Sequence, residues 1–91
     1  HFLVYANYPN PFNPKTTIRY DLPNQRDIQI KIIDVMGRTI KSLKINDMTP
    51  GRKSYVWDGT NDFGNVISTG IYFFQIIAGN DSKIMKMLFL K

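Results

Sequence analysis

Ile18, Tyr20 and Leu22 occupy alternate positions in a run whose gaps are filled by Thr17, Arg19 and Asp21. A spacing of two is the side-chain period of a β-strand, and an α-helix cannot gather that pattern on one face. The alternation returns at Ile28, Ile30 and Ile32 against Gln29 and Lys31. It returns again at Tyr72, Phe74 and Ile76, and Tyr55 and Trp57 share one parity. No segment carries a helical period, so the chain is constrained to an all-β fold before composition is considered.

The breaks between these runs predict the strands: Thr16–Leu22, Asp27–Ile33, Thr39–Ile45, Arg52–Trp57, a run starting at Gly70, and Ser82–Lys91. Residues 1–6 read as a linker remnant or a further edge strand. Ile40, Leu43 and Ile45 break strict alternation, and a bulge near Lys41-Ser42 would reconcile them. Asp34–Arg38 and Ala78–Asp81 are hairpin turns, and Asn46–Gly51 is a loop. The segment Asn7-Tyr8-Pro9-Asn10-Pro11-Phe12-Asn13-Pro14 cannot be helical, because each proline fixes its own φ and holds its predecessor extended. It is expected to run as a strap along a sheet edge, with Phe12 as an apolar peg; Pro11 and Pro14 also have the spacing of a PxxP ligand. The run from Gly70 is apolar on both faces. That predicts a central strand, or one covered outside by the strap or a neighbouring domain.

Trp57-Asp58-Gly59-Thr60-Asn61-Asp62-Phe63-Gly64-Asn65 leads from one aromatic strand to the next. Its Asp, Asn and Gly residues are those of tight turns, and its length suits a crossing between two sheets. Together these readings predict an immunoglobulin-like antiparallel β-sandwich of about seven strands over residues 7–91. The chain has no cysteine, so no disulfide joins the layers.

The residue inventory argues against an enzyme. His1 is the single histidine and stands at the chain end, a poor position for a base or ligand. Ser54, Ser68 and Thr69 therefore have nothing to activate them. Gly59 and Gly64 are not followed by the Lys-Ser or Lys-Thr of a phosphate cradle. Asp58, Asn61 and Asp62 offer hard oxygens that could hold calcium, but without a matching register or a closing Glu, and turn stabilisation is the favoured role. Tyr5, Tyr8, Tyr55, Trp57 and Tyr72 could line a sugar platform; parity assigns Tyr55, Trp57 and Tyr72 to the core instead. Met85 and Met87 read as core or edge filler. No cofactor is expected.

The net charge of +5 comes from 12 Lys and Arg against 7 Asp and Glu, spread singly along strands. Such spacing belongs to solvated faces guarded against edge pairing and not to a nucleic-acid reader. No apolar run reaches the roughly 20 residues of a membrane span, and no secretory leader opens the chain. Without an initiator Met, the sequence reads as a piece of something longer.

The ordered motifs carry a resemblance. Asn7-Tyr8-Pro9-Asn10-Pro11-Phe12-Asn13-Pro14, then Thr17-Ile18-Arg19-Tyr20 with Leu22-Pro23, resemble the opening of the C-terminal sorting domains of type IX secretion cargo. Asp34-Val35-Met36-Gly37-Arg38, Trp57-Asp58-Gly59, Gly64, Gly70-Ile71-Tyr72-Phe73 and Lys86-Met87-Leu88-Phe89-Leu90-Lys91 continue it in order. The stretch from Trp57 to Tyr72 is also similar to the immunoglobulin-like domain of the flagellar hook-capping protein. The sorting-domain resemblance implies a non-enzymatic address at the end of a larger cargo protein of Bacteroidetes-type bacteria. The domain would be recognised by the outer-membrane type IX translocon, and its cargo would reach the cell surface or medium through the periplasm. A sortase-like peptidase often removes such a domain. Its recognition elements would be Gly70, Tyr72 and Lys86 through Lys91, namely Lys86, Met87, Leu88, Phe89, Leu90 and Lys91. The last strand is expected to expose one edge to a receptor. The alternatives are a carbohydrate-binding module and a structural immunoglobulin-like spacer.

Overall fold

The computed structural model describes residues 2–91, apart from the side chain of Asp47. His1 lies outside the described residues. Seven strands run in chain order: β1 (Leu3–Val4), β2 (Thr16–Leu22), β3 (Arg26–Asp34), β4 (Thr39–Met48), β5 (Gly51–Trp57), β6 (Gly70–Ala78) and β7 (Asp81–Phe89). They form a three-stranded sheet, β1-β2-β5, and a four-stranded sheet, β4-β3-β6-β7, with all named strand pairs antiparallel. This is the all-β sandwich that the alternating residues require, and the loop after Trp57 makes one of three crossings between its sheets, with the β2–β3 and β4–β5 connections.

The alternation translates directly into two inner faces. Thr16, Ile18, Tyr20 and Leu22 of β2 point inward with Trp57 of β5. Facing them are Ile28, Ile30 and Ile32 of β3, Tyr72, Phe74, Ile76 and Ala78 of β6, and Met87 and Phe89 of β7. Each large apolar side chain buried this way contributes about 1.5–3 kcal/mol relative to exposure. Tyr55 and Met85 pack against this core from its margin.

Two expectations about β4 are refined. The expected bulge is present: the irregularity in β4 falls between Ile32 and Ile33 of its partner, which pair with Lys41 and Thr39, so the extra residue is Ile40, beside the expected Lys41-Ser42. The bulge turns Ile40 back toward the core. β4 also continues to Met48, which shortens the expected Asn46–Gly51 loop; a second register shift between Arg26 and Ile28 absorbs the added length. β6 is central, between β3 and β7, but the strap does not cover its outer face. Ile71 there remains 43% exposed. The covering sequence lies along the edge of β7 instead.

Candidate functional site

The register brings the strap, the loop after Trp57 and the last strand to one end of the sandwich. Thr16 pairs with Trp57, Asp34 with Tyr72, and Gly70 with Phe89. The expected peg is present: Phe12 is 2% exposed. Its ring lies 5.5 Å from Trp57 and 5.1 Å from Phe89 between centroids. Trp57 meets Tyr72 edge-on at 6.3 Å. Four aromatic rings from the strap, β5, β6 and β7 thus form one contiguous cluster.

The strap is also joined to β7 through its backbone. The Phe12 N–H donates to the Leu88 carbonyl at 3.1 Å, and the Leu90 N–H donates to the Phe12 carbonyl at 3.1 Å. The Leu88 N–H donates to Asn10 Oδ1 at 3.0 Å. Beyond the strand, the Lys91 N–H donates to Thr69 Oγ1 at 3.0 Å. The final strand is therefore held by β6 on one side and clasped by the strap on the other. Prolines supply no backbone donor, so Phe12 provides the strap's ladder N–H and the Asn10 side chain accepts from the neighbouring one. Asn7 and Thr16 anchor the other end of the strap: Asn7 Nδ2 donates to Thr16 Oγ1 at 2.9 Å, and that hydroxyl donates to the Pro9 carbonyl at 2.8 Å.

The polar loop is built as a set of turns. Asp58 Oδ1 accepts from the Thr60 N–H and hydroxyl. Those bonds, the hydroxyl's first, hold the Asp58 carboxyl below its ordinary pKa, against a smaller opposing effect of burial. Asn61 Oδ1 accepts from the Phe63 and Asn65 N–H groups. Asp62 Oδ1 accepts from the Ser42 N–H, while the Asp62 N–H donates to the Ile40 carbonyl. Among the described residues no group of three or more acidic, His or Cys side chains stands together for a metal. Trp57 Nε1 donates to the Thr60 carbonyl, closing the loop over the core. Gly59 has φ +78°, and a Cβ there would stand 3.1 Å from the Pro14 carbonyl oxygen and 3.5 Å from the Phe89 ring. Glycine is required at Gly59 by both backbone conformation and space. Gly64 has φ +82° but open surroundings.

The sequence-derived recognition residues separate into two groups. Tyr72, Met87 and Phe89 are buried, and the Tyr72 hydroxyl donates to the Ser68 carbonyl at 2.7 Å. Lys86, Leu90 and Lys91 are exposed, while Gly70 and Leu88 are half-buried. Asn10, Pro11, Asn13 and Pro14 lie exposed along the strap. The last strand does not expose its whole edge. From Leu88 onward the strap occupies it, and the open part lies at Ile84 and Lys86. The far edge of the same sheet is closed in a parallel way, by Asp62 on β4. The capping roles of Asn10, Asp62 and Thr69 had no sequence signal beyond their place in turn-rich segments.

The tyrosines do not share a platform. Trp57 and Tyr72 are core, Tyr55 is half-buried, and Tyr8 is 69% exposed. Tyr5 donates its hydroxyl to the Asp21 carboxylate and lies beneath the Arg52 guanidinium, 5.8 Å from ring centroid to Cζ. The bond to Asp21 is the first cause of the raised Tyr5 pKa.

The fold and the clasp define an immunoglobulin-like β-sandwich module whose terminal strand is locked by its own N-terminal strap. The family model described as the FlgD Ig-like domain matches residues 13–82, and the chain belongs to that family. A search of the curated proteins found no match. Among solved structures, dimeric latent PorU from Porphyromonas gingivalis superposes with a TM-score of 0.77 at 20% identity, over 96% of this chain and 9% of PorU. PorZ, described as an essential surface component of the type IX secretion system of the same organism, gives 0.66 at 23% identity, over 97% of this chain and 11% of PorZ. FlgD from Xanthomonas campestris, whose structure is described as giving insights into the hook capping essential for flagellar assembly, gives 0.67 at 19% identity, over 96% of this chain and 64% of FlgD. At these identities the likeness is one of fold. The chain spans about a tenth of the two secretion-system proteins and under two thirds of that FlgD.

Proposed function

We propose that this module is a non-enzymatic C-terminal secretion address, which carries a larger passenger through the type IX translocon to the surface or medium. The observation that supports it is the clasp. Phe12, Asn10 and Thr69 hold Leu88–Lys91 in a fixed conformation, so Lys86, Leu90 and Lys91 are displayed from a rigid base. An address read by a receptor gains from such preorganisation, because less conformational entropy is lost on binding. Likeness of fold to PorU and PorZ favours the same reading. Buried Tyr72, Met87 and Phe89 act by supporting this display, and the exposed residues meet the receptor.

Removal of Lys86–Lys91 would take Met87 and Phe89 from the core and so would test folding. The discriminating test is a reporter fused ahead of the domain in a bacterium with type IX secretion. Lys86→Glu combined with Lys91→Glu, or Leu90→Ser, which keeps the Leu90 and Lys91 N–H groups in place, should reduce export severalfold while the purified domain keeps its thermal midpoint. Normal export of both variants would refute the address. Membership of the FlgD family favours a second reading, a structural spacer between domains; a spacer predicts no effect of these surface changes on export.

A further inference from the structure

We propose that the open half of the β7 edge is a docking site for an extended segment of another protein, acidic and apolar at alternate positions, which joins the four-stranded sheet as a fifth strand. The inference does not depend on the export reading, because binding alone reads it out.

The geometry begins with parity. Met85, Met87 and Phe89 point inward, whereas Ile84, Lys86 and Leu88 carry their side chains on the outer face. The strap bonds made by Leu88 and Leu90 show that the even-numbered backbone groups of β7 are directed away from β6. By the strand period the N–H and C=O of Ile84 and Lys86 have the same direction. Among the described residues neither has a backbone partner on that side. The strap ends this open stretch at Asn10, beside a cavity of about 190 Å³ lined by Asn10, Ile71, Lys86, Met87 and Leu88.

The surface beside the edge selects the partner. Ile71 pairs with Leu88, Phe73 with Lys86, and Gln75 with Ile84, so an apolar strip crosses the outer face next to the open backbone. Ile84 is 55% exposed and Ile71 43%. Lys31 and Lys86 flank the strip, and among the described residues neither forms an ion pair. An added strand would place one side chain beside Ile84 and the next-but-one beside Lys86. The first position favours an apolar residue and the second a carboxylate. A second copy of this chain fits poorly, since it would bring a net charge of +5 against the same charge. The free edge of β5 lacks the apolar strip; its outward residues are Arg52, Ser54 and Val56.

The test uses the whole 91-residue domain and two synthetic peptides, one alternating Glu and Val and one alternating Lys and Val. Amide NMR is expected to show saturable binding of the Glu peptide, at least tenfold tighter than the Lys peptide. New hydrogen-exchange protection should appear at Ile84 and Lys86. Lys86→Glu should weaken the Glu peptide about tenfold with the fold intact. Ile84→Pro should abolish binding, since that N–H serves no ladder bond within the domain. Equal affinity for the two peptides, binding unchanged by Lys86→Glu, or protection at Arg52–Val56 would overturn the proposal. So would dimerisation through β7 in the absence of peptide, which would make a second copy the occupant.

Discussion

Replacing Phe12 with alanine should remove the peg while leaving its backbone bonds to Leu88 and Leu90 chemically possible. The ring is 2% exposed and touches Trp57 and Phe89. Its burial is worth about 2–3 kcal/mol, and the two ring contacts about 0.5–1.5 kcal/mol each. With the cavity left behind, the expected loss is about 3–5 kcal/mol. A domain of this length is stable by roughly 5–14 kcal/mol, so the variant should fold with a much reduced margin. Trp57 is the sole tryptophan and sits against the deleted ring, so its fluorescence in a urea titration reports the change directly. The midpoint should fall sharply with the slope unchanged, and Phe12→Leu should cost about a third as much. A loss below about 1 kcal/mol for Phe12→Ala would refute the peg as part of the core and make the strap a loosely held surface segment.

Further expectations concern the loop and the titratable groups. Gly59→Ala should cost about 1–2 kcal/mol from its positive φ, with crowding against Pro14 added, whereas Gly64→Ala should cost only the backbone share; paired urea midpoints separate the two. The Tyr20 hydroxyl is buried without a partner among the described residues, so Tyr20→Phe should leave stability unchanged or raise it by up to about 1 kcal/mol. Burial also raises the Tyr20 pKa. The unfolded chain therefore ionises first, and stability should decline as pH rises above about 10; Tyr20→Phe should flatten that decline in thermal melts. Asp34 is held below its ordinary pKa, first by the Arg38 backbone N–H and then by the Arg38 side chain. Its contribution is present above pH 3.8 and is lost as pH falls through the lower folded value, so Asp34→Asn should flatten the acid limb of the melting profile.

Strand parity was readable from residues such as Ile18, Tyr20 and Leu22 because a half-buried strand must alternate. The peg role of Phe12 was readable too, as the one apolar residue among prolines that cannot join a sheet. Tyr72, Met87 and Phe89 were harder to place. A family signature marks residues that matter without distinguishing display from packing, and their inward parity assigns these three to packing. The half-closed edge of β7 depends on Asn10 meeting Leu88, a bond between residues 78 apart in sequence. No local pattern encodes such a contact. The same holds for Asp62 on β4. The bulge at Ile40, next to Lys41, lets that isoleucine pack against the core.

Amide hydrogen exchange of the folded domain tests the clasp most directly. The Phe12, Leu88 and Leu90 amides should exchange slowly, through openings close in free energy to global unfolding, while Ile84 and Lys86 on the same strand exchange rapidly. Uniform rapid exchange from Ile84 to Leu90 would mean that the strap does not hold the terminal strand, and the rigid display proposed for the chain's end would fall with it.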